Sequence, residues 1–151
     1  GKTGIASAKL AYQQYRQLFE GKKWEKLAKE GAHVQRLLWA STSTKDPKFS
    51  DVMYVDALIG DETVNTLPDK TIDAFADHGT LKKDAIEDDL GEAQQVFNDL
   101  KHFDIDIDFI TQQLEYEGVQ KFIVAYDDLM KGLETKRQKF ESAAQIDKVN
   151  I

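Results

Sequence analysis

Two short segments constrain this chain more than any others. Leu37-Leu38-Trp39-Ala40 is a contiguous apolar run, and Thr63-Val64-Asn65-Thr66-Leu67 is compact and β-prone. Contiguous apolar residues are what a parallel strand buried on both faces requires. The first run is too short for a helix and is stopped by Ser41-Thr42-Ser43-Thr44-Lys45-Asp46-Pro47. Lys-Asp-Pro is turn chemistry, because the proline ring holds Asp46 out of helical angles. Between the runs, Val52, Val55 and Leu58 or Ile59 recur at helical spacing over Asp51 to Ile59, and Gly60 ends that helix. Pro68 opens the first turn of the next helix, with Ile72, Phe75 and Ala76 as its inner face and Gly79 as its cap. Strand, helix, strand, helix in this order make two consecutive units of an α/β sheet.

The flanks are helical. Ile5, Ala8, Tyr12, Tyr15 and Phe19 share one face of a first helix that Gly21 ends, and Trp24 and Leu27 mark a short second helix closed by Gly31. Beyond residue 80, Ile86, Leu90, Ala93, Phe97 and Leu100 form one stripe, and Ile110 and Leu114 begin another. Val119, Phe122, Tyr126, Leu129 and Leu133 continue it along a terminal helix, with an interruption expected at Gly118 and fraying over 145–151. Two fully buried strands do not make a stable sheet by themselves. A complete barrel of such units takes about 250 residues, well beyond the 151 present. The expectation is therefore a C-terminal portion of a larger (β/α)8 barrel, predominantly helical in this stretch. The competing reading is a stand-alone helical interaction module whose Tyr and Phe stripes meet partner helices. The contiguous RLLWA run and the proline-closed VNTLP segment favour the barrel.

Composition closes off other classes. A net charge of -7 argues against a nucleic-acid partner. With no cysteine there is no disulfide scaffold, thiolate metal site or cysteine nucleophile. No apolar run approaches the length of a membrane span, so a cytoplasmic protein without a membrane partner is expected.

The segments WASTSTKDPKFSD, MYVDALIGDETVNTLPDKTIDAFADHG and DFITQQLEYEGVQKF resemble the C-terminal part of transaldolases. GIASAKLAYQQYRQLF and KKWEKLAKEGAHVQRLLW resemble the same region, so the likeness covers nearly the whole chain. It is strongest to the subfamily of plants, cyanobacteria and actinobacteria, which includes fusions to phosphoglucose isomerase. The resemblance implies a TIM (β/α)8 barrel with Arg36 to Ser41 as strand seven and Thr63 to Leu67 as strand eight. Residues 1–151 would then be the C-terminal part of a single barrel domain. It also implies transfer of a dihydroxyacetone unit between sugar phosphates in the pentose phosphate pathway. The transfer would run through a Schiff base on a strand-four lysine, without metal or organic cofactor. That lysine would lie upstream of Gly1, so no catalytic residue is assigned within the chain. Alone it is expected to be inactive, its partners being sugar-phosphate substrates and the N-terminal part of the barrel. The likeness sets neither an oligomeric state nor a sugar preference.

Barrel enzymes bind phosphate with the loops after strands seven and eight. A phosphate needs N–H groups, hydroxyls and a cation within hydrogen-bond reach. Ser41, Thr42, Ser43 and Lys45 are the candidate phosphate ligands, with Thr44 between them. Other transaldolases carry an arginine shortly after a serine in this loop; here that position is Ser43 and the cation arrives as Lys45. The plain alternative is a solvated turn with Lys45 as a surface charge. Asn65 and Thr66 read as a strand end bonded to the following turn. His78 reads as a structural residue in the last turn of its helix, where a cation-capable ring suits the dipole. His33 and His102 lack partners at metal-ligand spacing. Asp104, Asp106 and Asp108 superficially suggest a calcium loop, but Phe109 stands where that loop needs glycine. A helix cap at Asp106 or Asp108 fits better.

Overall fold

The computed structural model describes the backbone of residues 1–149 and the side chains of residues 1–142. The last two residues of the expected frayed segment, 150 and 151, lie outside the described residues. The chain divides into two compact units, one of Gly1–Phe103 and one beginning at Asp104.

In the first unit, α1 spans Lys2–Phe19 and α2 spans Lys22–Lys29. Gly21 at φ +86 makes the sharp turn between them, a backbone setting that side chains resist. The two strands are β1, Leu37–Trp39, and β2, Thr63–Asn65, paired in parallel with Leu37 opposite Thr63 and Trp39 opposite Asn65. Parallel pairing needs a crossover, and α3, Met53–Ala57, supplies it with Val52, Val55 and Leu58 buried. After β2 come α4 (Asp69–His78), a 3-10 turn (Ala85–Glu87) and α5 (Leu90–His102).

The core gathers Tyr12, Tyr15, Leu58 and Ile86, with Ile5, Phe19, Leu37 and Trp39 packed on it. Ile86 is wholly buried, and its N–H donates to Ile59 O at 3.1 Å, which fastens the 3-10 turn to the end of α3. Burying such a side chain contributes about 1.5–3 kcal/mol. The aromatic rings of α1 continue toward α2: Tyr15 to Phe19 at 4.9 Å between centroids, then Phe19 to Trp24 at 4.8 Å edge-on. α1 packs on α5. Lys9, in the middle of α1, is only 7 % exposed, and its ammonium donates to Asp88 O at 2.6 Å and Ala85 O at 3.2 Å. A buried ammonium is tolerable only with such partners.

One face of the two-stranded sheet is open, with Leu38 56 % exposed, as a pair of strands without further strands or a covering layer requires. Two expectations need correction. On α4 the inward residue is Thr71, while Ile72 is 49 % exposed and Ala76 lies open, so the helix is turned about its axis by roughly one residue (about 100°). The terminal helix is not interrupted at Gly118.

That helix, α6, runs from Ile107 to Val149. Asp106 caps it, its carboxylate accepting the Phe109 N–H at 3.0 Å. The expected apolar stripe is present and open, with Phe122 81 % exposed and Tyr126 and Leu129 also exposed. No helix among the described residues is long and apolar enough to cross a membrane.

Candidate functional site

The two strands point their C-terminal ends the same way, and the loop after β1 forms one wall of an open cleft of about 460 Å³. Four candidate ligands, Ser41, Thr42, Ser43 and Lys45, all line it. Trp39 at the strand end, Phe49 and the α3 residue Tyr54 give the cleft an apolar side. Space is available because α1 presents Gly4 and Ala8 there; a side chain on Gly4 would meet the Tyr54 ring at 3.5 Å.

The loop is held at several points. Ser41 adopts φ +59. Thr42 is buried and donates its hydroxyl to Asn65 Oδ1 at 2.7 Å. Thr44 donates to Ser50 O at 3.1 Å, and Asp46 Oδ1 accepts the Lys48 N–H at 2.9 Å, the turn that Lys-Asp-Pro announces. Just after β2, Thr66 donates both its N–H and its hydroxyl to Trp39 O, at 3.0 and 3.2 Å. Lys45 is exposed and, among the described residues, forms no ion pair. Its charge is therefore not already spent on a carboxylate. Asp46 lines the same cleft and works against an anion there. The Trp39 indole N–H is buried without an acceptor among the described residues, an arrangement that ordinarily costs about 1–3 kcal/mol.

The cleft brings together hydroxyls, an exposed cation and an apolar wall at the C-terminal ends of two parallel strands. Among the described residues, none places an amine in a desolvated pocket of the cleft as a nucleophile would need. Lys9, the buried lysine, has its ammonium occupied by two carbonyls and lies in the α1–α5 packing.

Sequence reasoning brought together the loop residues but not the partners that hold them. Asn65 bonds across to Thr42 rather than to the turn that follows it. No local pattern announces a hydrogen bond between residues 23 positions apart. His78 lies away from the cleft. Its Nε2 meets Asp51 Oδ1 at 2.8 Å and its Nδ1 meets Asp77 Oδ2 at 3.0 Å, tying the end of α4 to the residues before α3. The hydrogen bond to Asp51, then that to Asp77, raises the imidazole pKa above its ordinary value, and the same contact lowers that of Asp51. Among the described residues, no cluster of three or more His, Asp and Glu is arranged to hold a metal.

A family model described as transaldolase/fructose-6-phosphate aldolase matches residues 1–133. The transaldolase 2 of a Nostoc species is 52% identical over 138 residues, which cover 90% of this chain and 36% of that protein. A Trichodesmium erythraeum transaldolase is 49% identical over 141 residues, 92% of this chain and 37% of the relative. A Mycobacterium bovis transaldolase is 44% identical over 146 residues, 96% and 38% respectively. The chain thus spans somewhat more than a third of the length of the curated relatives it matches.

Proposed function

Because the chain belongs to the transaldolase/fructose-6-phosphate aldolase family, we propose that it is the C-terminal portion of a transaldolase-type (β/α)8 barrel. On this reading β1 and β2 are the seventh and eighth strands. The loop after β1 binds the phosphate of a sugar phosphate, and the whole enzyme transfers a dihydroxyacetone unit through a lysine Schiff base supplied by the preceding part of the barrel. The observation that carries the reading is the placement of Ser41, Ser43 and Lys45 around one cleft at the C-terminal ends of two parallel strands. That is where barrel enzymes put their phosphate sites.

Two loose ends in the chain fit the same reading. Leu38 and the α6 stripe are apolar surfaces that the rest of a barrel would cover. Lys45 acts as a point charge and not as the bidentate fork that an arginine would offer.

Fragment complementation tests the proposal. The chain is mixed with the N-terminal barrel portion of the Nostoc relative, and dihydroxyacetone transfer from fructose 6-phosphate is assayed with borohydride trapping. The chain alone is expected to be inactive, and the mixture to be active with the trapped adduct on the Nostoc piece. Activity of the chain alone, or a stable complex that forms no adduct, overturns the reading.

A further inference from the structure

Within the cleft, one polar link is not explained by contact with a phosphate. Thr42 is 4 % exposed, and its only hydroxyl proton is donated to Asn65 Oδ1 at 2.7 Å. A hydroxyl so committed has no second proton for an anion. The link joins the loop after β1 to the last residue of β2. Beside it, Ser41 is held at φ +59, a left-handed setting that a residue with a side chain keeps only when its surroundings fix it. Among the described residues, the backbone N–H groups of Thr42, Ser43, Thr44 and Lys45 donate to no protein acceptor. A tethered loop that includes a left-handed residue and a run of unengaged N–H groups is the kind of backbone from which anion-binding concavities are made.

We propose that Asn65 is a positioning residue for the phosphate loop. It fastens Thr42, and through Thr42 it sets the loop so that the N–H groups, Ser43 and Lys45 converge on one phosphate. Thr42 is then a fastening point and not a ligand. The proposal rests on the sugar-phosphate reading above. It adds that part of the binding specificity is set from the second strand, by a side chain that does not touch the substrate.

The test titrates the chain, complemented with the N-terminal barrel portion of the Nostoc relative, with inorganic phosphate and follows amide resonances of Ser43 and Lys45, with thermal melting recorded separately. Asn65→Leu and Thr42→Val each remove one half of the link. Each is expected to weaken phosphate binding about five- to tenfold. The double variant should bind no more weakly than either single one, because both break the same link. Thr42→Ser, which keeps the hydroxyl, should restore wild-type binding. A purely structural role would lower the melting temperature and leave the affinity of the folded protein unchanged. Should Asn65→Leu not fold, Asn65→Ser, too short to reach Thr42, takes its place.

Wild-type affinity in the Asn65 variant, or additive losses in the double variant, overturns the positioning role and leaves phosphate binding intact. If the wild-type chain and Lys45→Met alike show no phosphate-dependent shifts, the phosphate reading itself fails, and the role of Asn65 with it.

Discussion

Apolar side chains meet opposite fates in the two units. In residues 1–103, Ile86 is wholly buried and Tyr12 is 2 % exposed; along α6, Phe122 is 81 % exposed. The first unit depends on contacts between residues distant in sequence. The helix depends on local terms: the Asp106 cap, the Gln113–Glu117 bond and the Glu134–Arg137–Glu141 ion pairs. Such pairs add only a few tenths of a kcal/mol each. Secondary structure in α6 is thus specified by its own sequence, while its apolar face is specified for something it does not itself contain.

The largest test of this contrast is Ile86→Ala against Phe122→Ala. The first should cost about 2–4 kcal/mol in a urea melt, and the second less than about 0.5. Comparable losses would mean that α6 is covered in solution.

Glycine substitutions should differ in sign. Gly79→Ala drives a Cβ into the Phe75 ring and to 2.6 Å from the Phe75 carbonyl, so the end of α4 must shift, at a cost of about 1–3 kcal/mol. Gly132→Ala meets nothing within 4 Å and should strengthen α6 by about 0.5–1 kcal/mol, seen as added helical signal at 222 nm. Lys9→Met keeps the stem and removes the ammonium from Ala85 O and Asp88 O. A loss of about 1–2 kcal/mol confined to the first unit is expected, and amide exchange at Ala85–Asp88 would report it.

The smallest effect is pH-dependent. Since folding raises the His78 pKa, its link to Asp51 is fully present below the ordinary imidazole value and is lost as pH rises through the raised one. Since folding lowers the Asp51 pKa, the same link is lost at the acid end as pH falls through that depressed value. A ring-proton titration of His78 should have its midpoint above the ordinary value, and Asp51→Asn should bring it down. An unchanged midpoint in Asp51→Asn would remove this link from the account.

How legible the molecule was depended on the range of the cause. Leu37-Leu38-Trp39 and Thr63-Val64-Asn65 could be read as strands because β-propensity and contiguity are local. The α1 stripe through Tyr12 and Tyr15 could be read because its period is local too. Lys9 could not be placed inside, since nothing near it in sequence shows the carbonyls of Ala85 and Asp88 that receive it. Thr71 was hidden on α4 for a similar reason: which side of a helix turns inward is decided by its neighbours, and the hydrophobic pattern pointed to Ile72. The candidate ligands Ser41 to Lys45 were visible as a composition. The side chain that fastens them, Asn65, was visible only as a strand end.

The bond from Lys9 to Asp88 joins residues 79 positions apart. It therefore also sets an order of events in time. A growing chain can form α1 as a fluctuating helix early, but its buried lysine and the packing against α5 must wait until residues near Ala93 have been made. The parallel strand pair likewise waits for its crossover. Non-local closures of this kind slow folding, whereas an isolated helix forms within about a microsecond. The first unit is thus the slow partner, and for that interval the open edge of Leu37–Trp39 is the part of the molecule most in need of protection from other chains.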